Sequence, residues 1–319
     1  MIVVLAGGVG AARLLAGLVR VVPPSEVTAI VNTGDDVVLH GLHISPDLDT
    51  VTYTLAGADN PDTGWGLAGE TWQAMEALGR YGGSTWFNLG DRDLGTHLYR
   101  TGRLAAGVGL AEVTAGIAAA WGLAPTLLPM TEDRVSTMMT LADGADGAGP
   151  GAEVGFQEYF VRLRHDVPVA SVRFDGARRS RPGPGVLEAL AAADVVVVAP
   201  SNPIVSIGPL LAVPGIADAI RARRADTVAV SPIVAGAALK GPADRLMREL
   251  GHEASVVGVA RLYSDLAATL VVDAADAALA LGVEAEGMRC VVTDTIMRTP
   301  EVTADLARVV LDSAREAAR

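Results

Sequence analysis

The sequence predicts an α/β protein in which a mostly parallel sheet carries helices on both faces. Three observations predict it. Short apolar runs of strand length recur along the 319 residues, among them Ile2–Leu5, Val27–Val31 and Val195–Ala199. Between such runs, hydrophobic residues return at helical spacing, as at Leu14, Leu15, Leu18 and Val19. The first strand passes straight into a glycine-rich turn, Gly7-Gly8-Val9-Gly10, which opens that helix. Alternating strands and helices imply crossover connections, and these build parallel sheets covered on both sides.

Each element follows in order. Pro23-Pro24-Ser25 breaks the first helix, and the second strand, Val27–Val31, ends at Asn32-Thr33-Gly34. Residues from about 50 to 123 are expected to be mainly helical, with Thr71–Leu78 and Leu110–Trp121 as the clearest helices, forming an insertion over the sheet. A strand returns at Thr126–Leu128. The Gly-, Ala- and Asp-rich stretch Asp143–Gly151 reads as a loop or hairpin tip. Val169–Phe174 reads as a strand, Val186–Ala193 as a helix, and Val195–Ala199 as a strand buried on both faces. Thr227–Val230, Thr269–Val272 and Cys290–Thr293 are further strands, and the last helix is expected at Ala304–Ala318. No repeat or trusted linker divides the chain, so residues 1–319 are expected to form one domain.

Composition narrows the function. The formal net charge of −12 disfavours a broad nucleic-acid surface, which needs clustered Lys and Arg, but leaves room for a small phosphorylated ligand. No apolar run approaches the roughly 20 residues of a membrane span. The Ile2–Leu5 run is too short for a signal-peptide core and has no basic lead, so a cytoplasmic location is expected. A single cysteine, Cys290, excludes an intrachain disulfide framework and is expected to be a buried structural thiol.

Five segments carry candidate chemistry. Gly7–Arg13 has a strand before it and a helix after it, where glycines admit an anion to free backbone N–H groups. Gly8 and Gly10 fit the first two positions of the dinucleotide fingerprint, but Arg13 holds the third glycine position, and no Lys-Ser/Thr pair makes a P-loop. Asn32-Thr33-Gly34-Asp35-Asp36 offers two carboxylates beside a turn, suited to Mg²⁺, to a polar substrate or to a ribose. Asp47 and Asp49 stand two apart after Pro46, and in an extended segment they share a face. Asp91-Arg92-Asp93 sits in a run dense in binding groups, from Trp86 to His97; a surface ion pair explains it equally well. Ser201-Asn202 and Ser231-Pro232 follow strands at the edge where α/β sheets bind ligands. Beyond them stands Lys240, the one lysine in the chain, a compact point charge for phosphate.

Together these segments resemble a known family. Gly7–Arg13, Asn32–Asp36, Ser45–Thr50, Gly64-Trp65-Gly66, Glu70-Thr71-Trp72, Leu89–Asp93, Ser201-Asn202-Pro203, Ser231-Pro232-Ile233 and Lys240–Ala243 are similar to motifs of the 2-phospho-L-lactate transferase / phosphoenolpyruvate transferase family of coenzyme F-420 biosynthesis. The likeness covers almost the whole chain. It implies a Rossmann-like fold with a helical insertion and a homodimer. It implies an Mg²⁺-dependent transferase that moves a phospho-acid group from a GDP-linked three-carbon acid to the ribityl hydroxyl of the deazariboflavin Fo, releasing GMP. An Ala/Arg/Gly-rich, Lys-poor composition favours the actinobacterial, phosphoenolpyruvate-using form.

Carried over by motif, Asp49 and Arg92 contact the deazaflavin, with Thr33 beside them, and Asp35, Asp47 and Asp49 supply metal ligands. Gly8, Gly10, Ser201, Asn202 and Lys240 are assigned to the donor nucleotide and its phosphates, and Asp49 and Asp36 to proton handling or orientation of the hydroxyl. Two other classes compete. One is a nucleotide-sugar-binding regulatory protein of related fold. The other is an NAD-dependent dehydrogenase, against which Arg13 argues.

Overall fold

The computed structural model describes residues 1–62, 64–145 and 149–317. Residues 146–148 of the expected loop, and Ala318 of the expected last helix, lie outside the described residues.

The chain begins with β1 (Ile2–Ala6), α1 (Gly8–Val21) and β2 (Val27–Val31). Before the next strand of the same sheet come a hairpin, β3 (Val37–Leu39) and β4 (Leu42–Ile44), and four helices: α2 (Pro46–Leu55), α3 (Gln73–Arg80), α4 (Asp93–Ala105) and α5 (Leu110–Ala120). Then follow β5 (Thr126–Pro129), β6 (Ser136–Leu141), β7 (Glu153–Gly155) and β8 (Val169–Asp175). The second half comprises α6 (Val186–Ala192), β9 (Val195–Val198), α7 (Gly208–Ala212), α8 (Ile216–Arg221), β10 (Thr227–Val230) and the short pair β11 (Ile233–Val234) and β12 (Ala237–Ala238). It ends with α9 (Ala243–Glu249), α10 (Val256–Tyr263), β13 (Thr269–Asp273), α11 (Ala280–Ala285), β14 (Arg289–Thr293) and α12 (Pro300–Ala317).

Seven strands form the central sheet in the order β14-β13-β10-β9-β1-β2-β5, every neighbouring pair parallel. The chain moves outward from β1 through β2 to β5, then returns to place β9 on the other side of β1. That reversal creates a switch point between the carboxyl ends of β1 and β9, where adjacent loops diverge and leave a crevice. Side-chain alternation along β1 explains the double coverage. Val3 and Leu5 enter the core beneath α6, α8 and α10, while Ile2, Val4 and Ala6 enter the core beneath α1 and α12. The α/β class with helices on both faces is therefore observed.

Three local expectations change. Val169–Phe174 belongs to a separate three-stranded antiparallel sheet, β7-β6-β8, of which β6 and β7 were not anticipated. The segment after Pro46 is helical, not extended: Pro46 opens α2, and Asp47 and Asp49 occupy its first turn, where acids complement the positive end of the helix. The C-terminal helix begins at Pro300, four residues before the expected start at Ala304.

Helix α1 packs closely on α12. A Cβ built at Gly17 falls 2.6 Å from both the carbonyl oxygen and Cγ2 of Thr303, so only glycine permits this approach. Gly17→Ala is expected to force the helices apart and lower stability by about 1–3 kcal/mol. Urea unfolding followed by circular dichroism checks it, and an unchanged midpoint would show that α12 shifts freely.

Candidate functional site

The glycine turn and the β9 loop meet at the switch point. A Cβ at Gly10 would lie 2.3 Å from the Pro200 carbonyl oxygen, and the Ser201 hydroxyl donates to the Gly7 carbonyl at 2.8 Å. Glycine at position 10 thus serves backbone-to-backbone closeness. Gly8 has φ +70°, in the left-handed region that favours glycine. Above this junction opens a cavity of about 680 Å³, within the size range of small-molecule sites. Its walls include Gly7–Gly10 and Arg13 from the first βα unit, Pro200–Asn202 after β9, Ser231 and Pro232 after β10, and Thr295–Met297 after β14. Residues from α2, α4, the β7–β8 connection and the 238–243 segment complete it.

The acidic residues divide into two groups. Asp47 accepts the Gly8 amide at 2.9 Å with one oxygen and the Asn32 side-chain amide at 2.9 Å with the other. Asn32 also donates to Asp35 at 3.1 Å, and its own carbonyl accepts the Gly34 amide at 2.8 Å. One buried asparagine therefore bridges Asp35 and Asp47. Burial, then the Asp47 charge, raises the Asp35 carboxyl well above its ordinary range, and burial raises Asp47 to about 6. Asp35 Oδ1 is buried without a hydrogen-bond partner among the described residues.

Asp49 faces another way. Residues two apart on a helix are rotated by about 200°, so Asp49 turns from Asp47 toward α4. There it pairs with Arg100, which is only 2% exposed, through both guanidinium Nη atoms, one at 3.1 Å. His97 Nδ1 lies 3.7 Å from Asp49, and His97 Nε2 lies 3.2 Å from Asp93. Asp93 accepts the Tyr53 hydroxyl, whose oxygen in turn lies 2.8 Å from the Thr96 hydroxyl and accepts from it. Asp49, Asp93 and His97 form the one His/carboxylate group of metal-binding compactness among the described residues. Arg100 already occupies both oxygens of Asp49. The expected metal trio of Asp35, Asp47 and Asp49 is thus not assembled: Asp35 and Asp47 stand together, and Asp49 belongs to the arginine cluster.

Three other expected site residues do not line the cavity. Asp36 accepts the Ser45 hydroxyl at 2.7 Å behind the wall, where burial raises its carboxyl well above the usual range. Thr33 is buried beside it. Arg92 is exposed and braces the preceding loop, donating to the Ala68 carbonyl at 2.6 Å. Its neighbour Asp91 accepts the amides of Gln73 and Ala74 at the start of α3, each at 3.0 Å, which accounts for that acid structurally. Gly8, Gly10, Ser201, Asn202 and Lys240 all line the cavity. The Gly8 amide is nevertheless taken by Asp47, and the Asn202 side chain accepts the amides of Ile204 and Val205 at 3.0 and 3.3 Å.

The structure adds residues that sequence reasoning did not place in the site. Arg13 lines the cavity and makes no ion pair among the described residues; its position at the missing third glycine was the available signal. Arg13 and Lys240 are the basic side chains of the wall, which Asp35, Asp47, Asp49 and Asp93 also line. Tyr53, Phe156 and Phe160 had no distinguishing spacing and are brought in by packing alone, whereas His97 closes the run from Trp86 that the sequence marks as dense in binding groups. A cavity with two cations, two acid clusters and a helix N-terminus suits a ligand with several phosphates.

Comparison with known proteins shows which family the chain resembles. A family model described as 2-phospho-L-lactate transferase CofD matches residues 2–310. A protein of Streptomyces griseus named phosphoenolpyruvate transferase is 46% identical over 317 residues, covering 99% of this chain and 98% of the relative. Proteins of the same name from Mycolicibacterium smegmatis and Thermobifida fusca are 42% and 44% identical, each with 98% of its own length covered, against 98% and 99% of this chain. A solved Bacillus halodurans protein of the UPF0052 family superposes with a TM-score of 0.62 at 18% identity, over 97% of this chain and 98% of that one, a likeness of fold. No helix among the described residues is long and apolar enough to cross a membrane.

Two expectations follow from the electrostatics. Arg100→Met strands the Asp49 charge in the interior and is expected to cost about 3–5 kcal/mol, much of it recovered in Arg100→Met/Asp49→Leu. Urea denaturation of both variants checks this, and a single variant as stable as the parent would contradict it. The second concerns Asp47, whose folded-state pKa of about 6 lies above its unfolded value of about 4. The folded state therefore holds the proton more tightly. Its stabilising contribution is full below pH about 4 and is lost as pH rises through about 6. In EDTA, unfolding free energy should fall between pH 4.5 and 7, and Asp47→Asn should flatten that slope.

Proposed function

This chain belongs to the 2-phospho-L-lactate transferase CofD family, and from that premise we propose that it transfers a phosphoenolpyruvyl group from a GDP-linked donor to the deazaflavin Fo. The product is dehydro coenzyme F-420-0 and the leaving group is GMP; a 2-phospho-L-lactyl donor is the close alternative. The single observation that carries this reading is the switch-point cavity, where Arg13, Lys240 and the α1 N-terminus share the lining with buried carboxylates. An acceptor hydroxyl and a diphosphate need this combination of opposite charges within one pocket.

Residues present fit a hard divalent cation such as Mg²⁺. Asp35 keeps an unpartnered buried oxygen, and burial together with the Asp47 charge pushes it toward protonation, which a cation would relieve. Asp35 and Asp47 would hold the ion. When bound, it supplies charge neutralisation to the phosphate oxygens of the donor. Asn32 fixes the two carboxylates relative to each other.

The rest of the work belongs to the chain itself. Phosphoryl-type transfer asks mainly for positioning and charge stabilisation. Arg13 and Lys240 oppose the charge that develops on the departing GMP, and the first-turn amides of α1 not taken by Asp47 add fixed dipoles. The ribityl oxygen attacks the phosphorus bearing the three-carbon acid as the bond from that phosphorus to GMP breaks. Asp49, oriented by Arg100, accepts a hydrogen bond from the hydroxyl and takes its proton late in the step.

Mass spectrometry of a reaction containing Fo and both GDP-activated donors, lactyl and enolpyruvyl, tests the proposal. The expected product is dehydro coenzyme F-420-0, with turnover abolished by EDTA and restored by Mg²⁺. Formation of neither phosphodiester product by the parent protein overturns it. Asp49→Asn is expected to lower kcat by two or more orders of magnitude, on the scale of lost general-base function. Near-parental activity in that variant would remove Asp49 from the chemistry.

A further inference from the structure

Three of the four phenylalanines in the chain, Phe87, Phe156 and Phe160, line the cavity. Two of them come from one short segment between β7 and β8 that carries no charge-bearing motif. Phe156 and Phe160 stack with ring centroids 5.4 Å apart at 22°, and Phe160 stacks on His165 at 5.1 Å and 23°. The result is a pile of three nearly parallel rings. Phe156 and Phe160 reach the cavity wall, and His165 backs Phe160 from behind.

The backbone departs from regular geometry to build this pile. Residues Glu158–Arg162 form a π-helical turn, closed by Leu163 N–H donating to the Glu158 carbonyl at 2.9 Å. Arg164 and His165 then both adopt left-handed conformations, at φ 53° and 44°. Non-glycine residues in that region carry strain, and consecutive ones are held only by surrounding structure. Here the holding contacts are identifiable. His165 N–H donates to the Tyr159 carbonyl at 2.8 Å. Tyr159 is fully buried, and its hydroxyl receives Arg245 from α9. Tyr159 pinned inward leaves Phe156 and Phe160 on the cavity side.

Two neighbours tie the pile to the reactive region. Gln157 donates to the Asp35 carbonyl at 3.4 Å, next to the paired carboxylates. Opposite Phe160 lies Gly241, at φ +72°, where a Cβ would come 3.9 Å from the Phe160 ring; Lys240 precedes it. A flat wall thus borders both the acidic pair and the lysine.

We infer that the Phe156–Phe160–His165 pile is a stacking seat for a flat heteroaromatic ring of one of the substrates. Parallel aromatic side chains at a cavity wall favour an offset-stacked planar partner. The inference rests on the proposed function, because both substrates named there carry such a ring: guanine on the donor and deazaflavin on the acceptor. The seat takes one of the two, and binding measured ligand by ligand tells which.

Isothermal titration of the full chain with GDP alone and with Fo alone, in Mg²⁺, needs no turnover. Phe156→Leu and Phe160→Leu keep side-chain volume and remove the ring; thermal melts verify folding. Each is expected to weaken one ligand about tenfold, within the range of base–aromatic stacking, while the other ligand stays within twofold. Phe160→Trp, which restores a ring, is expected to bind that ligand within threefold of the parent. Unchanged binding of both ligands, equal weakening of both, or no binding of either to the parent overturns the seat. Selective loss in the leucine variants with no product formed by the parent would leave the seat standing and the transferase proposal refuted.

Discussion

The carboxylate of Asp47 holds the site together. It accepts the Gly8 amide at the start of α1 and the Asn32 amide at the end of β2, while its own helix, α2, begins one residue earlier. Three elements far apart in sequence are thereby fixed at one point. A carboxylate at the N-terminus of α1 is favoured by the free amides and the helix dipole. The same carboxylate stands near Asp35, and burial together with their mutual repulsion raises the energy of the ionised pair. The acid stabilises the fold through its hydrogen bonds and stores electrostatic tension that a divalent ion would release.

Placing α2 in this way decides the fate of Asp49. Helical rotation sends it away from Asp47 and into the grip of Arg100, with His97 and Asp93 continuing the chain of polar contacts to Tyr53. Every member of that chain is largely or fully buried. Burial of so many charges is tolerable only because each is paired. The cavity consequently has two acidic regions of different character: the Asp35–Asp47 pair, bridged by an asparagine and suited to a cation, and Asp49, held by an arginine and suited to orienting a hydroxyl.

The rest of the cavity lining is built from different materials. Arg13 and Lys240 provide positive charge, and the stacked Phe156 and Phe160 provide a flat apolar surface. Strain at Arg164 and His165 is confined to the turn that carries these rings. Consecutive left-handed residues beside these rings are consistent with ligand geometry outweighing local conformational preference.

The sequence by itself determined the layers and the edge at which ligands bind. Ile2–Ala6 and Val195–Val198 are apolar throughout, and Val27–Val31 is apolar but for Thr28, because strands covered on both faces have no solvent side, and that is visible in one dimension. The glycine turn and the Ser201-Asn202 loop were legible for the same reason: backbone closeness and strand ends leave local chemical marks. Tertiary structure alone decided which carboxylates act together. Asp47 and Asp49 are neighbours in sequence, yet one helical step sends them to different partners, Asn32 and Arg100, from 15 and 51 residues away. Arg92, expected at the acceptor, braces a loop instead, while Arg13, Phe156 and Phe160 reach the cavity. Side-chain direction depends on helix phase and on long-range packing, and neither is written in the spacing of a motif.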